Sequence, residues 1–122
     1  MNASCQRTNR QRQIADLLHY VGVPPHIKGY QYLRESIDLA IDTHELIGKM
    51  SKSIYPAVSI KFNTEPELVE RCIRHAIELT WSRGDIDTLE QLFGYTISKN
   101  KGKPTNGEFI AMLSHYVKQK NK

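Results

Sequence analysis

Apolar residues recur at helical spacing along most of this chain, and no stretch alternates apolar and polar positions as a strand pair would. From about residue 26 to 41, Ile27, Tyr30, Leu33, Ile37 and Ala40 or Ile41 fall three or four apart, predicting an amphipathic helix with one buried stripe. Ahead of it, residues 14–21 predict a short apolar helix that stops at Gly22, with Pro24 and Pro25 just beyond. Residues 1–13 are polar, lack an apolar period, and read as a linker or disordered tail; a basic arm on phosphates is the other reading. Later, His44, Ile47, Met50 and Ile54 predict a further helix, interrupted at Pro56, which lacks a backbone donor. Then come a short helix over 56–62, Asn63, a long helix over about 65–83 closed by Gly84, and another helix over Ile86–Phe93. Residues 95–105 read as an exposed basic loop, and 106–117 as a last helix. The class is all-α: about six helices in one domain, 14–118, with 119–122 as a tail.

The stretch from Tyr55 to Trp81 fits a helix-turn-helix, which needs a short helix, a tight turn and a second helix with one free face. Asn63 tolerates the left-handed backbone such a turn demands. Ser59, four residues earlier, is small enough for a close helix crossing, and Val58 and Phe62 are placed to meet Val69 and Ile73. Thr64, Glu65, Pro66 and Glu67 read as a T-x-x-E capping box with proline in the first turn.

At about 100° per residue, Val69, Cys72, Ile73, Ala76 and Thr80 share one face of the long helix. Glu67, Arg71, Arg74 and Glu78 occupy the other, flanked by Leu68 and His75. A helix in the major groove needs such a face: arginine has the fork for guanine O6 and N7, and Glu67 or Glu70 can accept from a cytosine amino group. The same residues also form the i,i+4 pairs of a solvated helix, Glu67–Arg71, Glu70–Arg74 and Arg74–Glu78. A helical protein-interaction module is therefore the rival reading.

The composition, 39% apolar and 25% charged, is that of a globular domain. A formal charge of +4 suits an anionic partner. Between Glu67 and Glu78, however, three glutamates face two arginines, so attraction to phosphates must come from Lys28, Lys49, Lys52, Lys61, Arg83 and the loop bearing Lys99, Lys101 and Lys103. Cys5 and Cys72 are too far apart in sequence to suggest a zinc site, and a reducing cytoplasm suits them. No apolar run approaches the roughly 20 residues of a membrane span. Neither a catalytic motif nor a cofactor motif occurs, so catalytic residues, cofactors and metals are expected to be none.

Five segments carry a resemblance: GVPPHIKGYQYLRE at 22–35, VERCIRHAIE at 69–78, WSRGDID at 81–87, LFGYT at 92–96 and KPTNGEFIA at 103–111. In this order the chain, from about Leu17 to Ala111, resembles the C-terminal effector domain of the stage-zero sporulation response regulator, a transcription factor of endospore formation. The resemblance implies six helices, double-stranded DNA as partner, and a fourth helix reading a short box similar to TGTCGAA, with a second copy on tandem boxes. It also implies that a phosphorylated receiver domain precedes this region in full-length members, so that residues 1–13 look like the end of an interdomain linker. Carried over by position, Glu70, Arg71, Arg74 and His75 match the family's recognition-helix pattern and are the expected base and phosphate contacts, with Glu67 and Leu68 beside them; Leu68 is a departure, since related domains carry arginine there, and Pro66 and Glu67 also differ. Lys28, Lys61, Lys101 and Lys103 are the expected phosphate contacts. The stretch 81–93 resembles the surface that meets the housekeeping sigma factor of RNA polymerase, with Arg83, Asp85 and Glu90 as contacts and Trp81, Leu89 and Phe93 as core. The last helix, around 109–116, would join the contact between tandem copies.

Overall fold

A computed structural model describes residues 3–93 and 102–121. Among the described residues there are six α-helices and no strand: α1 Ala3–Val21, α2 Lys28–Asp42, α3 Tyr55–Lys61, α4 Pro66–Arg83, α5 Ile86–Phe93 and α6 Asn106–Lys120. Helix α2 lies at the centre, packed on both α4 and α6. Its stripe, Tyr32, Leu33, Ile37 and Ala40, meets Ile14 and Leu18 of α1, Val69, Ile73 and Ala76 of α4, and Phe109, Ile110 and Leu113 of α6 in one core. Gly29 permits the α2–α4 approach, because a Cβ there would collide with the Cys72 carbonyl oxygen and come within 2.8 Å of the Ala76 Cβ. Phe93 and Phe109 stack at 5.4 Å with Trp81 edge-on at 5.1 Å from Phe93, tying α4, α5 and α6 together. Leu89 and Phe93 are core, as expected, and Trp81 is partly buried against it.

Helix α1 begins at Ala3, eleven residues before the expected start at Ile14, so residues 3–13 are helical rather than a disordered tail. No apolar period marks this stretch because its anchor is ionic. Arg10 Nε lies 2.6 Å from Asp38 and Nη1 2.8 Å from Asp42, both on α2, and Gln11 accepts a hydrogen bond from Arg34. Burial works against the Arg10 charge, but the bonds to Asp42 and Asp38 more than offset it and raise its pKa. The helix ends in a Schellman motif: Gly22 has φ 96°, and the amides of Gly22 and Val23 bond His19 and Leu18.

The helix expected across 44–54 is instead a 3₁₀ turn, His44–Lys49, followed by a wide π turn, Met50–Ile54. Pro56 accounts for the widening, since its ring crowds the carbonyl four residues back, at Lys52. At the other end of the fold α6 runs three residues past the expected stop, to Lys120, with Asn121 capping it through Val117 and bonding Gln13 of α1. Of the expected tail, Gln119 and Lys120 belong to the last turn of α6 and Asn121 caps it. Gly84 does close α4, but with extended rather than left-handed backbone; a Cβ there would collide with the Thr80 carbonyl oxygen, so close packing is what requires the glycine.

Candidate nucleic-acid interface

The turn between α3 and α4 is built from backbone bonds. Asn63 adopts φ 52°, the one non-glycine left-handed residue among those described. The Thr64 amide donates to the Ser59 carbonyl at 2.9 Å and the Asn63 amide to Ile60 at 3.3 Å, so α3 also ends in a Schellman motif. Ser59 is buried, its hydroxyl donating to the Pro56 carbonyl, which keeps the crossing tight without leaving a polar group unpaired. Val58 is fully buried with Val69 and Ile73, whereas Phe62 is partly buried and meets Tyr32 edge-on at 5.3 Å.

The capping box expected at Thr64–Glu67 does not form. Helix α4 starts at Pro66, its N-cap is Glu65 in extended conformation, and no side chain caps it. Two facts force this. A residue before proline avoids helical backbone, so Glu65 cannot be the first helical residue after a Thr64 cap. The Thr64 amide, which Glu67 would have to receive, is already bonded to Ser59.

Along α4, Val69, Ile73, Ala76, Ile77 and Thr80 are buried, and Thr80 Oγ1 donates to the Ala76 carbonyl. Cys72 is only half-buried. Glu67, Arg71, Arg74, His75 and Glu78 are exposed, and Leu68 is half-buried between the two sides. Arg74 leaves 53% of its side chain accessible and is held from one side by Glu70, with Nε to Oε2 at 3.0 Å and Nη2 to Oε1 at 3.3 Å. The hydrogen bond and charge of Glu70 raise the Arg74 pKa further, so the guanidinium remains cationic.

The flanking cations are unequal. Lys28, the first residue of α2, is exposed and lines a shallow cleft with Asn63 and Thr64 beside the turn. Lys103 is exposed, 3.8 Å from Glu78 of α4. Lys61 is 2.7 Å from Glu35, which removes much of its free charge. Lys101 lies outside the described residues. Of the stretch expected to meet a sigma factor, Arg83 and Glu90 are exposed. Asp85 is exposed too, but its carboxylate accepts from the Asp87 amide and the Thr88 hydroxyl at the start of α5. Sequence spacing missed two residues near Arg74: Asn106, at the start of α6, bonds the Glu70 carbonyl from 36 residues away, and Tyr55, at the start of α3, is joined to it by accepting from the same Asn106 amide, with no local signal for either.

A left-handed turn joining a short helix to a long one, seated on its core by an apolar face and free on the other, defines a helix-turn-helix domain, the class that places its second helix against DNA. Among the described residues no helix is long and apolar enough to cross a membrane. The family described as sporulation initiation factor Spo0A C terminal matches residues 14–117, and the chain belongs to it. It is thus a DNA-binding domain of a sporulation transcription factor, and DNA is its partner.

Proposed function

We propose that α4 enters the major groove of a short box resembling TGTCGAA and that Arg71, Arg74 and His75, with Glu67, Leu68 and Glu70, distinguish its bases. The reading is carried by one observation: Arg71, Arg74 and His75 are exposed on α4 while Val69 and Ile73, on its other side, are fully buried. A rod seated in this way presents its cations without moving the core. Arginine at two adjacent turns suits guanines on neighbouring base pairs, and half-buried Leu68 suits a thymine methyl. Glutamates on the same face repel phosphates, so Lys28 at the turn supplies the sequence-independent attraction, joined by Lys101 and, once released from Glu78 and Glu35, by Lys103 ahead of α6 and Lys61. The exposed Arg83 and Glu90 suit a contact with the housekeeping sigma factor of RNA polymerase, with Asp85 shaping that surface by capping α5. A second copy would sit on the adjacent box.

Titrating labelled duplexes carrying the box or a scrambled sequence, across a range of salt, tests this reading. Arg74→Ala is expected to weaken box binding about ten- to a hundredfold and to leave the scrambled duplex nearly unaffected, as for a bidentate guanine contact. Equal, weak binding of both duplexes by the unaltered domain would instead favour a helical protein-interaction module.

A further inference from the structure

Arg74 is the most constrained of the exposed cations on α4, and the constraint comes from outside the helix. Its partner Glu70 is gripped by the side-chain amide of Asn106, the first residue of α6. Asn106 Nδ2 donates to the Tyr55 hydroxyl at 3.0 Å and to the Glu70 backbone carbonyl at 3.2 Å, and lies 3.5 Å from Glu70 Oε2. Both Glu70 groups only accept, so the amide must present its nitrogen to them, which fixes which way Asn106 faces. Tyr55 is buried at the start of α3, and burial, working against the ionised form, pushes its pKa up despite the Asn106 bond, so it stays a neutral hydroxyl. Asn106 is itself held by the capping box around it: Thr105 accepts from the Glu108 amide and Glu108 accepts from the Thr105 amide. Three helices thus converge on one surface arginine.

We infer that Asn106 is a specificity-determining positioning residue, which ties the Glu70 backbone carbonyl to the buried Tyr55 hydroxyl and stands 3.5 Å from the Glu70 carboxylate, so that Glu70 orients the Arg74 guanidinium for its base. The inference rests on α4 being the helix that reads DNA. An i,i+4 pair on an exposed helix ordinarily exchanges among rotamers and contributes little. Here a buried-hydroxyl and amide anchor removes freedom from Glu70, and hence from the arginine fork, before DNA arrives. Reduced freedom in the unbound domain favours the one arrangement that a guanine edge accepts. Asn106 need not touch DNA to act.

The test is a double-mutant cycle on box and scrambled duplexes with Asn106→Ala, Arg74→Ala and the pair, together with each single-base variant of the box. Asn106→Ala is expected to lower box affinity about five- to tenfold, the worth of a hydrogen bond or two, with the loss concentrated at the base pair that Arg74→Ala also affects. In the Arg74→Ala background it should have no further effect, and scrambled DNA should bind as before. Asn106→Asp guards against a simple folding defect: it keeps the side-chain shape and favours a helix N-terminus, but sets a carboxylate against Glu70. It should fold with an unchanged helical spectrum and lose at least as much discrimination as Asn106→Ala. A full Asn106→Ala loss in the Arg74→Ala background, or equal losses on both duplexes, would overturn the positioning role while leaving the recognition helix intact. If Arg74→Ala itself leaves box affinity unchanged, the recognition-helix reading fails, and this inference with it.

Discussion

The pattern T-x-x-E opens two helices of this protein, and it does opposite things in them. At Thr105–Glu108 the capping box forms in full, with both reciprocal bonds in place. At Thr64–Glu67 none of it forms, and the helix starts two residues after the threonine. The two sites differ in what lies inside and before them. Asn106 and Gly107 let Thr105 take the N-cap position, whereas Pro66 holds Glu65 in extended backbone and passes that position on to it. Thr64 also serves the preceding helix, its amide closing the α3 Schellman motif. A capping motif is therefore a property of its neighbours as much as of its own residues. The start of α6 is secured by side chains; that of α4 is secured by proline, by the left-handed Asn63 and by packing on α2.

That contrast can be broken from the α4 side first. Gly29→Ala pushes a methyl into the Cys72 carbonyl and Ala76, lifting α4 from α2, and should destabilise the fold by about 3 kcal/mol, an overpacking penalty at the upper end of its range. Chemical denaturation measures it, and a loss within error would mean that α4 is not seated there. Next, Asn63→Val should lose about 1–2 kcal/mol, because a β-branched side chain resists the left-handed region, while Asn63→Gly should lose nothing. Equal stability of the two variants would disprove the role given to the turn. The smallest effects sharpen the comparison itself. Thr105→Ala should lose about 1 kcal/mol as a true cap, and Thr64→Ala under about 0.5 kcal/mol. In a Pro66→Ala background Thr64→Ala should begin to matter, since Glu65 is then free to become helical. Thermal melts of these variants decide it, and a large Thr64→Ala loss in the unaltered chain would contradict the geometry.

Much of this was legible in the residues. Of the stripe that apolar spacing puts between Ile27 and Ala40, Leu33, Ile37 and Ala40 are buried and Ile27 and Tyr30 partly so, with Tyr32 buried beside them; of the Val69–Thr80 face all but the half-buried Cys72 are buried. Asn63 was legible as a left-handed turn residue because few side chains tolerate that backbone. The missing box at Thr64 was legible too, through the restriction that proline places on its predecessor, but the threonine pattern outweighed it. The first turns of α1 were not legible: Arg10 sits 28 residues from Asp38 and 32 from Asp42, and nothing local marks an ionic anchor. The same limit hid Asn106 and Tyr55 from the candidate site.

Periodicity and side-chain size, then, were enough to decide which faces turn inward, where the helix-turn-helix lies, and that Arg71 and Arg74 share the outer side of its second helix. These are matters of one residue's neighbours along a helix, and the 3.6-residue repeat carries them. Tertiary packing alone decided where α1 begins and which distant amide grips the partner of Arg74. Each of those depends on hydrogen bonds and charges between segments far apart in the chain, whose meeting no local pattern encodes.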